Sequence, residues 1–82
     1  MFKLLSVLPL DGYRVEVCFD DGVNGVVDLS SRLFGPVFEA LKDQALFMQA
    51  TVDEFGAVCW PNGADLAPDA LHEQLRNSAQ AA

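Results

Sequence analysis

YRVEVCFD, residues 13–20, alternates apolar and polar side chains without a break. Successive side chains of a β-strand point to opposite faces, so this alternation predicts a strand with one buried face and one exposed face. The apolar face carries Tyr13, Val15, Val17 and Phe19. This segment is the clearest strand in the chain, and the other elements are placed around it.

Apolar segments lie on both sides of this strand. Residues 2–8 are rich in Leu and Val and precede a Pro-Leu-Asp-Gly turn cluster at residues 9–12. On the other side, Asp21-Gly22 leads into residues 23–29, and such a two-residue connection favours a type I′ hairpin. The sequence therefore predicts a meander of three antiparallel strands.

The second half of the chain changes to helical spacing and back. A short helix is predicted near residues 37–42, after Gly35-Pro36. Two more strands, residues 50–54 and 57–60, flank a turn at Phe55-Gly56. Pro68 and Asp69 open a final helix, which carries Leu71 and Leu75 at i,i+4 spacing and ends near Asn77.

These elements predict an α+β fold: a mainly antiparallel sheet of about five strands, in the order βββαββα, with both helices on one face. The chain of 82 residues, 51% hydrophobic, suits one core. We expect one domain over residues 1–77 and a loose tail over residues 78–82. So small a core gains stability from self-association, which predicts a homodimer with the first strand as a candidate edge.

The formal net charge of -7 limits the partners of the chain. It repels phosphate backbones and anionic lipids, so direct binding of nucleic acid or membrane is disfavoured, and it favours a protein with a basic surface. No apolar run is long enough to span a bilayer, and the cytoplasm is the expected compartment.

Catalytic and cofactor motifs are missing from the sequence. It contains no glycine-rich phosphate loop, and its one histidine, His72, is predicted to be a solvated helical residue. Cys18 and Cys59 have no metal-ligand spacing and are predicted to be buried small hydrophobes. We therefore predict no cofactor, no metal and no enzymatic activity. A small enzyme that uses its carboxylates is a weaker alternative.

Four acids sit at or beside the predicted hairpin tips: Asp20, Asp21, Asp53 and Glu54. Asp is common at turns because its side chain bonds the local backbone, so one interpretation is solvated turn residues. The other is a contact group for a basic partner, provided that both tips emerge at one end of the sheet.

The most unusual string is Trp60-Pro61-Asn62-Gly63-Ala64-Asp65. A structural interpretation makes Trp60 a core residue and Asp65 an acceptor for backbone amides near the last helix. A functional interpretation makes the loop a rim that contacts a partner. The structural interpretation is favoured.

With this string the chain resembles a known bacterial family. The Trp-Pro-Asn-Gly-Ala-Asp segment, together with Phe-Asp-Asp-Gly at residues 19–22, Val-Asp-Leu at 27–29 and Gly-Pro-Val-Phe at 35–38, is similar to the Domain of Unknown Function 2442 family. The resemblance implies a small α+β domain with no established activity, cofactor or catalytic residue. Longer relatives append a helix-turn-helix, and this chain ends before any such module.

Two functions follow as expectations. The first is a non-enzymatic protein-interaction module, in the narrower form the antitoxin-like partner of a small neighbouring protein, because family genes often lie beside another small gene. The alternative is the stand-alone form of a regulatory or dimerisation domain that longer relatives fuse to a helix-turn-helix.

Overall fold

The computed structural model describes residues 2–81, with side chains described for residues 2–77. The first sheet has the order β1-β2-β3 and comprises β1 (Leu4–Leu10), β2 (Arg14–Phe19) and β3 (Asn24–Asp28). The second has the order β4-β5-β6 and comprises β4 (Thr51–Val52), β5 (Val58–Cys59) and β6 (Asp65–Leu66). The helices are two 3-10 turns, Ser30–Arg32 and Phe38–Lys42, then α1 (Gln44–Phe47) and α2 (Pro68–Ala81).

The α+β class and the antiparallel pairing agree with the sequence, but the single sheet of about five strands is wrong. The second sheet separates because its strands pair over only two residues before the chain turns again. It meets the first sheet where the Leu4 amide donates to the Gly56 carbonyl at 2.9 Å. β6 was missed because two residues carry no readable alternation.

The predicted helix near residues 37–42 is a 3-10 turn followed by α1. Asp43 has an extended backbone, which ends the first helical segment, and its side chain accepts the Ala45 amide at 3.0 Å to cap the next one. The last helix, α2, runs to Ala81, past its predicted end near Asn77. The predicted loose tail, residues 78–82, lies outside the residues whose side chains are described.

β2 is the central strand of the first sheet, and its predicted buried face is confirmed at Val15, Val17 and Phe19. The predicted turn at residues 9–12 is wrong in its start, because Pro9 lies inside β1 opposite Val15. β1 is at an edge of its sheet, where a residue without an amide hydrogen is tolerated. β2 begins one residue later than predicted because Tyr13 has a φ of 60°, outside the strand range.

Three chain reversals share one construction: residues 19–22, 53–56 and 60–63. In each, the amide of the final glycine donates to the carbonyl of the first residue at 3.1 Å, and the amide of that first residue donates to the carbonyl that follows the glycine. This is a three-residue hairpin loop closed by a glycine bulge. The type I′ turn predicted at Asp21-Gly22 is wrong because Asp20 also belongs to the loop and Asp21 has no positive φ.

Two of these glycines give a matched test of the turn at residues 53–56. Gly22 and Gly56 have φ values of 90° and 79°, but only Gly56 is enclosed: a Cβ there would lie 2.7 Å from the Lys3 Cβ. We expect Gly22→Ala to cost about 1 kcal/mol from backbone strain alone. Gly56→Ala should cost about 2 kcal/mol, because a contact with Lys3 is added to the strain.

Urea unfolding of both variants measures the difference. If both variants lose the same free energy of unfolding, the segment around Lys3 moves aside without cost. That segment would then not hold the two sheets together.

The core lies between one face of the first sheet, the second sheet and the helices. Its largest fully buried side chains are Phe19, Phe47, Leu29, Leu41, Leu71, Val15, Val17 and Val58. α2 lies against β3: the Leu75 side chain occupies the space beside Gly25, and the Gln74 side-chain amide donates to the Asp28 carbonyl at 2.7 Å. The opposite face of the first sheet has no described element packed on it, and Leu8 and Val26 are exposed there.

Candidate functional site

The two acidic hairpin tips lie at one end of the molecule because both contact the same segment. Lys3 and the tip residue Asp20 exchange two hydrogen bonds: the Asp20 amide donates to the Lys3 carbonyl at 2.9 Å, and the Lys3 amide donates to the Asp20 carboxylate at 3.3 Å. The other tip contacts Lys3 and Leu4 through Gly56. The segment at residues 3–4 therefore lies between the tips.

Three of the four predicted contact acids are already used within the chain. The Asp20 carboxylate accepts the Lys3 amide, and the Asp53 carboxylate accepts the amides of Phe55 and Ala57 at 2.8 and 3.0 Å. Asp21 accepts the Val23 amide at 3.1 Å. Glu54 is exposed and accepts no hydrogen bond from the described residues. The carboxylates of Asp20, Asp21 and Asp53 thus stabilise the tips themselves, and Glu54 is the acid most available to a partner.

His72 is the residue whose environment differs most from the prediction made from the sequence. It is 4% exposed, and its ring stacks on Phe2 with the ring centroids 3.6 Å apart and meets Phe19 edge-on at 4.8 Å. Its Nε2 lies 2.9 Å from the Asp21 carboxylate. The prediction of a solvated helical histidine is therefore wrong, because the N-terminal segment folds over that face of α2.

The contact between Asp21 and His72 ties the first hairpin tip to α2. The pKa of Asp21 is lowered from its usual value, chiefly because the Val23 amide donates to its carboxylate and further because His72 faces it. A lowered pKa means that the ionised form stabilises the fold. This stabilisation is complete above the ordinary Asp pKa and is lost as the pH falls through the lowered one.

Beside Phe2 lies an open cleft of about 420 Å³. Its lining combines apolar surface with two carboxylates: Phe2, Phe55, Ala57, Asp65, Ala67, Pro68 and Asp69. Phe55 is 72% exposed, although it is a large aromatic side chain. The cleft therefore joins an accessible ring to negative charge, and Glu54 is next to that ring in the sequence. We refer to these seven lining residues as the Phe55 cleft.

The two carboxylates of the Phe55 cleft differ in their hydrogen bonding within the chain. Asp69 accepts the Phe2 amide at 3.0 Å, which fastens the N-terminal segment to α2. Asp65, in β6, is exposed and accepts no hydrogen bond from the described residues. Among the described residues the amide acceptor at the start of α2 is therefore Asp69, and the role predicted for Asp65 as an acceptor near α2 stays a prediction.

The rest of the unusual string serves the fold. Trp60 is 4% exposed, and its Nε1 donates to the Phe47 carbonyl at 2.9 Å. Asn62 accepts the Ala64 amide at 3.1 Å and donates its side-chain amide to the Val37 carbonyl at 3.0 Å. Pro61, Asn62 and Gly63 are all exposed at this turn. The turn thus fastens β5 to the helical segment.

Other classes of site find little support among the described side chains of residues 2–77. No group of three or more His, Cys, Asp or Glu residues lies close enough together there to hold a metal ion. Cys18 and Cys59 are free and half-buried, not fully buried as predicted. No helix in the described part of the chain is long and apolar enough to cross a membrane.

Comparison with known proteins gives a family and a fold. The model of the family described as "Protein of unknown function (DUF2442)" matches residues 4–77. The chain belongs to this family. None of the curated proteins matches. Among solved structures, a candidate DNA binding protein from Nitrosomonas europaea is similar over 98% of this chain, at 23% identity and a TM-score of 0.84.

That similarity is one of fold. This chain covers 52% of the Nitrosomonas europaea protein, so it spans about half of that protein's length. The matching fold therefore occurs there as one part of a longer chain.

Proposed function

We propose that this chain is a non-enzymatic protein-interaction module, and that its Phe55 cleft binds a basic, apolar segment of another protein. The observation that carries the proposal is the exposure of Phe55, at 72%, in a cleft that also holds the exposed Asp65. An exposed aromatic ring beside acids suits an Arg or Lys side chain, whose stem packs on the ring while its charge meets the carboxylates.

Charge around the cleft supports the same class of partner. The acids at this end are Asp20, Asp21, Asp53, Glu54, Asp65, Asp69 and Glu73, and the cations are Lys3 and Arg76. With a chain charge of -7, this surface attracts cationic partners and speeds their encounter. In the narrower, antitoxin-like form of the proposal, the partner is the small protein of a neighbouring gene. The two free thiols suit an encounter in the reducing cytoplasm.

A titration followed by amide NMR tests the binding chemistry. The probe is a short capped peptide of alternating Arg and Leu, and its control carries Glu in place of Arg. We expect the Arg peptide to shift the amides of Phe2, Ala57 and Ala67, and the Glu peptide to shift none of them. Phe55→Ala and Asp65→Lys should each weaken binding about tenfold or more, because an anchoring ring or a charge is lost.

Phe34→Ala is the matched control, because Phe34 is also 72% exposed but does not line the cleft. This variant should bind as the parent does. If Phe34→Ala loses as much affinity as Phe55→Ala, or if the shifted amides lie elsewhere, the proposal is wrong. Retention of a native-host protein by the parent and by Phe34→Ala, but not by Phe55→Ala, would extend it to a natural partner.

A second candidate is a regulatory or dimerisation domain. It is favoured by the solved structure of a candidate DNA binding protein, because this chain matches only 52% of that protein. In that role the domain would bring DNA-binding segments together without touching DNA itself, since its charge of -7 repels phosphates.

A further inference from the structure

The open face of the first sheet is arranged in rows. The strand register places Leu8 opposite Glu16, and Glu16 opposite Val26. The next row along consists of Leu10, Arg14 and Asp28. These side chains project away from the face that carries Val15 and Val17, and Leu8 is 55% exposed. The face is therefore an apolar edge along β1, beside a cation and an anion on β2.

We propose that this face binds a second copy of the same chain, with the two sheets stacked face to face. The two-fold axis lies between the sheets, perpendicular to the strands, and passes over β2 midway between Arg14 and Glu16. This axis lays each row over the neighbouring row of the partner protomer. Leu8 then packs on the partner's Leu10, and Glu16 meets the partner's Arg14. Each contact occurs twice, as an isologous interface requires.

Charge and shape both favour a second copy as the occupant. The face carries one cation, Arg14, against two acids, Glu16 and Asp28, so it opposes self-association much less than the chain charge of -7 suggests. Stacked sheets lie about 10 Å apart, a distance that Leu and Arg side chains fill. The alternative two-fold axis, along the strands, would set Glu16 against Glu16 and Arg14 against Arg14, and like charges disfavour it.

The size of the face sets the expected strength. Three strands about 4.8 Å apart, paired over about five residues of about 3.3 Å each, give a footprint on the order of 250 Å². A standard interface buries about 800 Å² per partner, so the expected dimer is weak and reversible. Its dissociation constant should lie in the micromolar to millimolar range.

Sedimentation equilibrium over that concentration range tests the interface. We expect the parent to dimerise and Glu16→Arg to raise the dissociation constant about tenfold or more, because Arg then faces Arg at two places. The double variant Arg14→Glu with Glu16→Arg restores both ion pairs with their signs exchanged, so it should dimerise like the parent. Leu8→Asp should be monomeric, because it sets a carboxylate against the partner's Leu10.

Glu39→Arg makes the same charge change on an exposed residue of the 3-10 turn and should leave the dimer intact. Circular dichroism confirms that each variant is folded. A monomeric parent at millimolar concentration overturns the proposal. So does a dimer that Glu16→Arg and Glu39→Arg weaken equally, or one that the double exchange fails to restore. None of these variants touches the Phe55 cleft, so this test is independent of the binding proposed for that cleft.

Discussion

Replacing Trp60 with alanine is expected to lower the free energy of unfolding by about 3–5 kcal/mol. The side chain is 4% exposed and packs against Phe47, with the ring centroids 5.9 Å apart. Its removal leaves a cavity where β5 joins the helical segment. Small domains are stable by about 0.05–0.15 kcal/mol per residue, so a loss of this size is a large part of the total.

Trp60→Phe separates packing from hydrogen bonding. The Phe47 carbonyl also accepts the Ala50 amide at 3.3 Å, so loss of the indole donor leaves it one partner and should cost only about 1 kcal/mol. Urea unfolding of Trp60→Ala, Trp60→Phe and the control Phe34→Ala measures these differences. If Trp60→Ala unfolds at the same urea concentration as Phe34→Ala, the ring does not support the core, and the loop becomes a candidate partner contact.

The second large effect is expected at His72. His72→Ala should lower the free energy of unfolding by about 3 kcal/mol, because it removes a buried ring from between Phe2 and Phe19. It should also loosen the N-terminal segment on α2, since Phe2 would lose its stacking partner there and keep the bond from its amide to Asp69, while its ring still meets Phe19 edge-on. Hydrogen exchange at the Phe2 amide, which donates to Asp69 on α2, would detect that loosening.

His72→Phe keeps a ring in the stack and removes the bond to Asp21, so it isolates the polar contact. We expect a smaller loss than for His72→Ala and a shallower fall in stability on acidification, because His72 is one cause of the lowered pKa of Asp21. Chemical unfolding between about pH 6 and pH 3 provides the comparison. An unchanged acid profile in His72→Phe would show that the Val23 amide alone holds the pKa of Asp21 down.

The faces of β2 and α2 and the positions of two turns follow from local sequence patterns. The faces of β2 are set by a period of two residues, and the turns at residues 20–22 and 54–56 are set by acids and a glycine placed within four residues of each other. Leu71 and Leu75 identify the inner side of α2 in the same way. Each of these signals lies within a few residues of the structure that it determines, so it can be read without knowing what packs on it.

The candidate sites depend on contacts between distant residues. Phe2 and Asp69 are joined by a hydrogen bond across most of the chain, and His72 pairs with Asp21 only after α2 has docked against the first hairpin. The Phe55 cleft forms from the N-terminal segment, the β4-β5 turn, β6 and the start of α2, which only folding brings together. The sequence by itself determined the buried face of β2, the positions of the glycine turns and the acidity. Only the tertiary structure decided that the rings of Phe2 and Phe19 pack on a buried His72 and that the ring of Phe55 remains exposed. The reason is that burial depends on the residues that folding brings into contact.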